Sequence, residues 1–185
     1  MALELLDCTL RDGAYINNSE FGMPALKGIV KHLQDSHVEI IECGWLKDSP
    51  HKTGTSYFHL PSDAEQYLLE KKNSVTYVAM IDYNRYDDSV LPECDGKSID
   101  AIRVVFPHGK HEEGIAIGGR IAKKGYKVFY QAANTLAYSD DDLVSLAQAM
   151  NKVNPVAVSI VDTFGAMYED DLVRIFGILD KHLEK

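Results

Sequence analysis

The sequence predicts an α/β protein whose parallel sheet is covered by helices, and three observations carry that expectation. Short apolar runs of strand length recur along the chain, amphipathic helical stretches lie between them, and polar residues gather where the runs stop. The runs are continuously apolar rather than alternating, as expected of strands buried on both faces. A doubly wound sheet and a barrel both satisfy this order, and the crossovers alone do not separate them. The spacing of roughly 30 residues per unit suits eight units in roughly 250 residues, the usual barrel length. A chain of 185 residues would hold six.

The first strand is expected over Leu3 to Cys8, delivering Thr9, Arg11 and Asp12 to its C-terminal end, with Gly13 free to turn. An Arg-Asp-Gly turn taken alone is an ordinary solvated loop. Ala14 to Glu20 reads as loop, and a helix follows from Pro24 to Gln34, where Leu26, Ile29, Val30 and Leu33 share a face. Val38 to Cys43 is the second strand, ending at Gly44 with Glu42 at its exit. The segment from Trp45 to Pro61 is long for a strand-to-helix connection and suits a lid or a mobile loop. Its His51 and His59 are candidates for substrate contact, though exposed loop histidines without a role are the simpler reading.

A helix running to Lys72 is expected, capped by Ser62 or Asp63, with Glu65 completing a capping box on Ser62. Val75 to Ile81 is the third strand and Asp82 its exit; a poorly patterned connection through Asp87 and Pro92 leads to the fourth, Ile99 to Phe106. Glu112 to Lys124 is helical, Tyr126 to Gln131 is the fifth strand and Asp140 to Asn151 the next helix. Val156 to Val161 is the sixth strand, followed by a helix from Tyr168 to Leu183. The whole, residues 1 to 185, reads as a single domain.

Composition narrows the function. The net charge of -9 is spread along the chain, with 28 acidic against 19 basic residues, and no basic face offers itself to nucleic acid. Cys8, Cys43 and Cys94 are well separated, which suits reduced thiols and a cytoplasmic location. There is no basic segment followed by an apolar one at the N-terminus, and no apolar run of membrane-spanning length, so neither secretion nor insertion is expected. No GxGxxG, P-loop, HExxH or CxxC pattern is present.

Collecting the strand exits gives Arg11 and Asp12, Glu42, Asp82, His108 and His111, Gln131 and Asn134, and Asp162 with Thr163. Carboxylates and imidazoles on converging strands suit a hard or borderline divalent ion, and an Arg beside them suits stabilising an oxyanion. Carbon-carbon bond cleavage through an enolate uses that combination. Asp82 and Asn134 are read instead as local caps. His108 and His111 form a rival metal pair, weakened by the Gly between them and a loop setting.

Residues Asp7 to Gly13, Asp-Cys-Thr-Leu-Arg-Asp-Gly, resemble the first-strand signature of the metal-dependent TIM-barrel lyases and synthases called DRE-TIM metallolyases. That family includes 3-hydroxy-3-methylglutaryl-CoA lyase, isopropylmalate synthase and 4-hydroxy-2-oxovalerate aldolase. Ile40 to Gly44 is similar to its second-strand motif, and Val161 to Met167 to its sixth, with a Gly-Ala-Met tail nearest to the hydroxy-oxovalerate aldolases. The resemblance implies an incomplete (β/α)8 barrel of about six units, the N-terminal portion of an aldolase-like domain. Its function would be a divalent-metal-dependent carbon-carbon lyase, aldolase or acyl-CoA lyase/synthase in type, working through an enolate of a 2-oxo acid or acyl thioester.

Carried over by position, Asp12 would ligate Mg or Mn, Arg11 would stabilise the enolate oxygen, and Glu42 would orient Arg11 or a metal-bound water. Thr9, Gln131, Asp162 and Thr163 would line the substrate. Tyr15 stands where the aldolases have a His acid-base, and a phenol is a poorer base at neutral pH. The family's His-x-His metal pair belongs to the seventh strand, so metal binding by this chain is expected to be weak. The partner would be a small oxo or hydroxy acid. A second copy, or further chain, is expected to cover the open edges, which a six-stranded piece leaves unpaired. The alternative is an inactive barrel fragment with a role in assembly or ligand binding.

Overall fold

The computed structural model describes residues 3–68, 70–153 and 155–184. Strand β1 (Leu6–Asp7) is followed by two single helical turns, α1 (Thr9–Asp12) and α2 (Ala14–Asn17), and by helix α3 (Met23–Asp35). Next come β2 (Ile40–Leu46), the short β3 (Tyr57–Phe58), a 3₁₀ helix over Pro61–Tyr67, and β4 (Thr76–Asp82). The chain continues with β5 (Ala101–Phe106), α4 (His111–Lys123), β6 (Lys127–Ala132), α5 (Asp140–Asn151), β7 (Ala157–Ile160) and α6 (Glu169–His182). The sheet runs β1-β2-β4-β5-β6-β7, with β3 attached to β2. Every pairing is parallel. Strands adjacent in the sheet follow one another along the chain, with no point where the order reverses, and the sheet curls into a half-barrel with β1 and β7 at its edges. A doubly wound arrangement is thereby excluded.

Two apolar layers hold it. Between sheet and helices lies the large core, in which Ile41, Tyr77, Ile102, Val104, Ile121 and Leu146 are wholly buried. On the concave side Leu6, Ile40, Val78, Ala101 and Phe129 form a separate plug towards the N-terminal ends of the strands. Helix α4 can lie close over β6 because Gly118 has no side chain: a Cβ there would stand 2.1 Å from the Tyr130 hydroxyl oxygen.

Several local expectations are corrected. The first strand is shorter than Leu3 to Cys8, since only Leu6 and Asp7 pair with Ile40 and Ile41. The chain then coils at once, with the Arg11 and Asp12 amides donating to the Cys8 carbonyl. Gly13 is helical at φ -60° and uses no left-handed freedom. The Ala14 to Glu20 stretch read as loop contains α2. The long segment after β2 is no free lid. It adds β3 to the sheet, and Gly44, at φ +147°, permits this because a Cβ would lie 1.8 Å from the Ser56 carbonyl oxygen.

The helix expected over Ser62 to Lys72 is the 3₁₀ helix Pro61–Tyr67, and Leu69 lies outside the described residues. Its N-terminus is not capped by Ser62 and Glu65. Asp63 Oδ2 instead accepts from the His59 and Leu60 amides at 2.9 Å each, one residue earlier, where Pro61 fixes the first helical φ. Between β4 and β5 there is no α-helix, so the third unit departs from the strand-then-helix rule. A 3₁₀ turn, Asp88–Val90, is clasped there by Arg120, whose Nε and Nη2 donate to the Asp88 carboxylate at 2.7 Å each. Lys124 Nζ donates to the Asp88 and Leu91 carbonyls at 2.7 and 2.5 Å.

Candidate functional site

Period-two alternation carries the concave face upward from its apolar plug. Two residues beyond Ile40, Val78, Ala101 and Phe129 stand Glu42, Met80, Arg103 and Gln131, with Ser159 facing Gln131 from β7. Barrel interiors are mostly filled by branched apolar side chains. This layer is polar.

At its centre Glu42 is 0% exposed. Its Oε2 accepts from Arg11 Nε at 2.7 Å, and both its oxygens accept from Arg103 Nη1, at 3.2 and 3.3 Å. Arg11, itself buried, reaches Glu42 from the helical turn after β1, and its Nη1 donates to Asp12 Oδ1. The Trp45 ring lies 5.8 Å from the Arg11 guanidinium carbon. Burial opposes the charge on Arg11, but the Glu42 carboxylate beside it, together with Asp12, outweighs burial and raises the guanidinium above its ordinary value. Arg11 is therefore a fixed cation at the carboxyl end of the sheet. Arg103 Nη2 donates to Ser159 Oγ at 3.4 Å, while Arg103 Nε and Gln131 Oε1 are buried without a hydrogen-bond partner.

Above this layer opens a cleft of about 310 Å³ lined by Arg11, Asp12, Tyr15, Gln131, Asp162 and Thr163, over Met80 and Val105. The structure thus brings together six of the eight site residues expected from sequence, with Glu42 directly beneath. Thr9 is the exception: its hydroxyl donates to Asp7 Oδ2 at 3.0 Å and does not line the cleft. Asp162 accepts from the Ala166 and Met167 amides, at 2.9 and 3.1 Å, which hold its carboxyl below the usual range. Thr163 Oγ1 accepts from the Asn134 amide at 2.7 Å. Tyr15 is 73% exposed at the rim. Arg103 was missed in the sequence. A single Arg inside an apolar strand was the available signal, because a buried charge must find a partner.

His51, His59 and His108 make local contacts. His51 contacts the Tyr57 carbonyl at 2.7 Å and the Tyr67 hydroxyl at 3.0 Å, and His59 Nδ1 lies 3.2 Å from the Lys47 carbonyl. His108 Nε2 pairs with Asp142 Oδ2 at 3.0 Å, away from the cleft. Cys8 donates to Asp12 Oδ2 at 3.1 Å, and burial together with that carboxylate pushes its thiol up to about 11.

A divalent ion asks for several oxygen or imidazole donors. Here Asp12 is half exposed and already shared between Arg11 and Cys8, while Asp162 is engaged by its own loop. No group of three or more His, Cys, Asp or Glu side chains suited to a metal occurs among the described residues. The donor set of these residues does not fit a divalent ion by itself.

No protein-family model matches the chain, and no curated protein sequence matches it. Solved structures do. The chain is similar to the N-terminal domain of a putative aldolase from Bacteroides vulgatus, with a TM-score of 0.77 at 19% identity, covering 98% of this chain and 62% of that one. It is also similar to the carboxyl transferase domain of Rhizobium etli pyruvate carboxylase, with a TM-score of 0.70 at 15% identity, covering 97% of this chain and 34% of that one. The same domain crystallised with pyruvate gives a TM-score of 0.69 at 15% identity, with the same coverage. The chain therefore spans less than two thirds of the length of each. At these identities the likeness is one of fold, an incomplete α/β barrel.

Proposed function

We propose that this half-barrel carries the oxyanion-stabilising half of an active site for a carbon-carbon lyase or related transferase that acts on a 2-oxo acid or acyl thioester through its enolate. The reading rests above all on Arg11, a buried guanidinium held by Glu42 at 2.7 Å beneath a cleft at the carboxyl ends of parallel strands. A cation fixed before the reaction costs no reorganisation when negative charge develops on an enolate oxygen, which is where such groups accelerate most. Glu42 and Arg103 position it, and the unpartnered Gln131 Oε1 offers an acceptor to a bound hydroxyl or acid. Tyr15 at the rim is the nearest candidate to move a proton. The first-strand and sixth-strand motifs support the DRE-TIM superfamily, with the hydroxy-oxovalerate aldolases the nearest subfamily, and the aldolase and carboxyl transferase folds agree with it.

Chemistry of this class uses Mg or Mn, and the single shared Asp12 predicts that this chain holds either only weakly. The test compares the 185-residue chain with a version extended by two further βα units, using Mn calorimetry and a pyruvate-release assay with and without chelator. The extended chain is expected to turn over and to stop with chelator. Arg11→Ala should then cost roughly 3 kcal/mol of transition-state stabilisation, a hundredfold or more in rate. An extended chain without turnover, or an Arg11→Ala variant of unchanged rate, would overturn the reading in favour of an inactive scaffold.

A further inference from the structure

A second, larger cleft of about 640 Å³ adjoins the first, and Tyr15 and Trp45 line both. Its walls come from the turn after α2, the end of β2 and the exit of β4. Two neighbouring non-glycine residues there, Asn18 and Ser19, hold left-handed conformations at φ 53° and 66°. Such conformations persist only where the surroundings impose them. Here the Ser19 carbonyl accepts from the Phe21 and Ser56 amides at 3.1 and 3.0 Å, so this wall is set before any ligand arrives.

The charges in this cleft are unevenly engaged. Asp48 accepts from the Asp87 amide through both oxygens, at 3.1 and 3.0 Å, and Asp82 is 3.3 Å from Arg85 Nε. Lys47 has no carboxylate partner among the described residues; its Nζ lies 5.3 Å over the Tyr57 ring. Arg85 keeps the terminal nitrogens of its fork, and its side chain is 81% exposed. Both carboxylates of the cleft already have a donor, while Lys47 Nζ and the end of the Arg85 fork keep donors for an anion.

We propose that this larger cleft is the subsite for the distal anionic group, carboxylate or phosphate, of a 2-oxo acid whose oxo end lies against Arg11, with Lys47 and Arg85 as its recognition residues. The inference rests on the reading of the Arg11 cleft as an oxo-acid site. It makes the substrate a 2-oxo acid with a second anionic group rather than a small monoacid. A planar guanidinium fork suits either group, and the charge-assisted contact is stronger than a neutral one.

Trp45, the single tryptophan of the chain, borders both clefts and reports on either. The experiment titrates its fluorescence with pyruvate, 2-oxoglutarate and 3-phosphohydroxypyruvate, in the unaltered chain, in a Lys47→Gln/Arg85→Gln double variant and in Arg11→Gln. At least one of the two acids with a distal anion should bind about tenfold more tightly than pyruvate. The double variant should abolish that advantage while leaving pyruvate unchanged, and whichever of 2-oxoglutarate and 3-phosphohydroxypyruvate binds more tightly names the distal group. Equal affinity for all three acids, an advantage that survives the double variant, or no quenching by either 2-oxoglutarate or 3-phosphohydroxypyruvate would overturn the inference. Pyruvate binding indifferent to Arg11→Gln would count instead against the function proposed for the first cleft.

Discussion

Glu42 is the residue on which the concave face depends, because two guanidinium groups share one carboxylate that no water reaches. Removing it as Glu42→Ala would leave Arg11 and Arg103 buried without their counter-charge. Breaking a buried pair from one side typically costs about 3–5 kcal/mol, and urea denaturation should read a loss of that size. Arg11, Asp12 and Glu42 were legible in the sequence because motif and strand-end position coincide there. Arg103 was not, since its partner lies on another strand and only the curl of the sheet brings them together. Thr9 falls outside the cleft for a local reason: a hydroxyl two residues after an Asp at a strand end turns back to it. The same scale holds a pH-dependent contact. Ser139 and then His108 hold the Asp142 carboxyl down to about 2, below its ordinary 3.8. A lowered carboxyl contributes stability above its unfolded value and loses it as pH falls through the folded one. Thermal melts should therefore lose this contribution between about pH 4 and pH 2, and Asp142→Asn should flatten that part of the profile.

Among elements, the periodic helices were readable and the improvised ones were not. α3, α4, α5 and α6 follow apolar faces and end within a residue or two of where the pattern stops. β3 is two residues held in place by Trp45 and Leu46 rather than by its own propensity, and the missing third helix is replaced by a turn whose anchors, Arg120 and Lys124, belong to α4. No window of sequence contains such contacts. Helix α4 offers a paired test of close approach. Gly118→Ala should destabilise by about 1–3 kcal/mol through overpacking against Tyr130. Gly119→Ala next to it, with nothing within 4 Å, should instead be neutral or stabilise by up to about 1 kcal/mol from helix propensity. Equal effects in chemical denaturation would mean that the helix does not press on β6 as described.

The molecule as a whole is an open curve. β7 is nowhere fully buried, and Val156, Phe164 and Phe176 are 52%, 75% and 59% exposed near it. A groove of about 570 Å³ runs between β7 and α6. Unpaired strand edges with apolar flanks recruit partners, so the chain alone should sediment as a concentration-dependent mixture, and supplying two further βα units should return it to a single species. The parallel succession of strands and helices was legible from the pattern, and the barrel from the resemblance of the strand-end motifs, whereas the curvature was not, because nothing in a list of strands says how far a sheet bends. That bend has a tie of its own. Arg103 on β5 grips Glu42 on β2 with β4 lying between them, so their ion pair spans the hollow like a bowstring across a bow. A closed ring keeps its shape because every strand has two neighbours, but an arc can splay at both tips. The charges that hold Arg11 under the cleft also tie the arc against relaxing toward a flat sheet, so the strength of the bow and the aim of Arg11 cannot be changed independently.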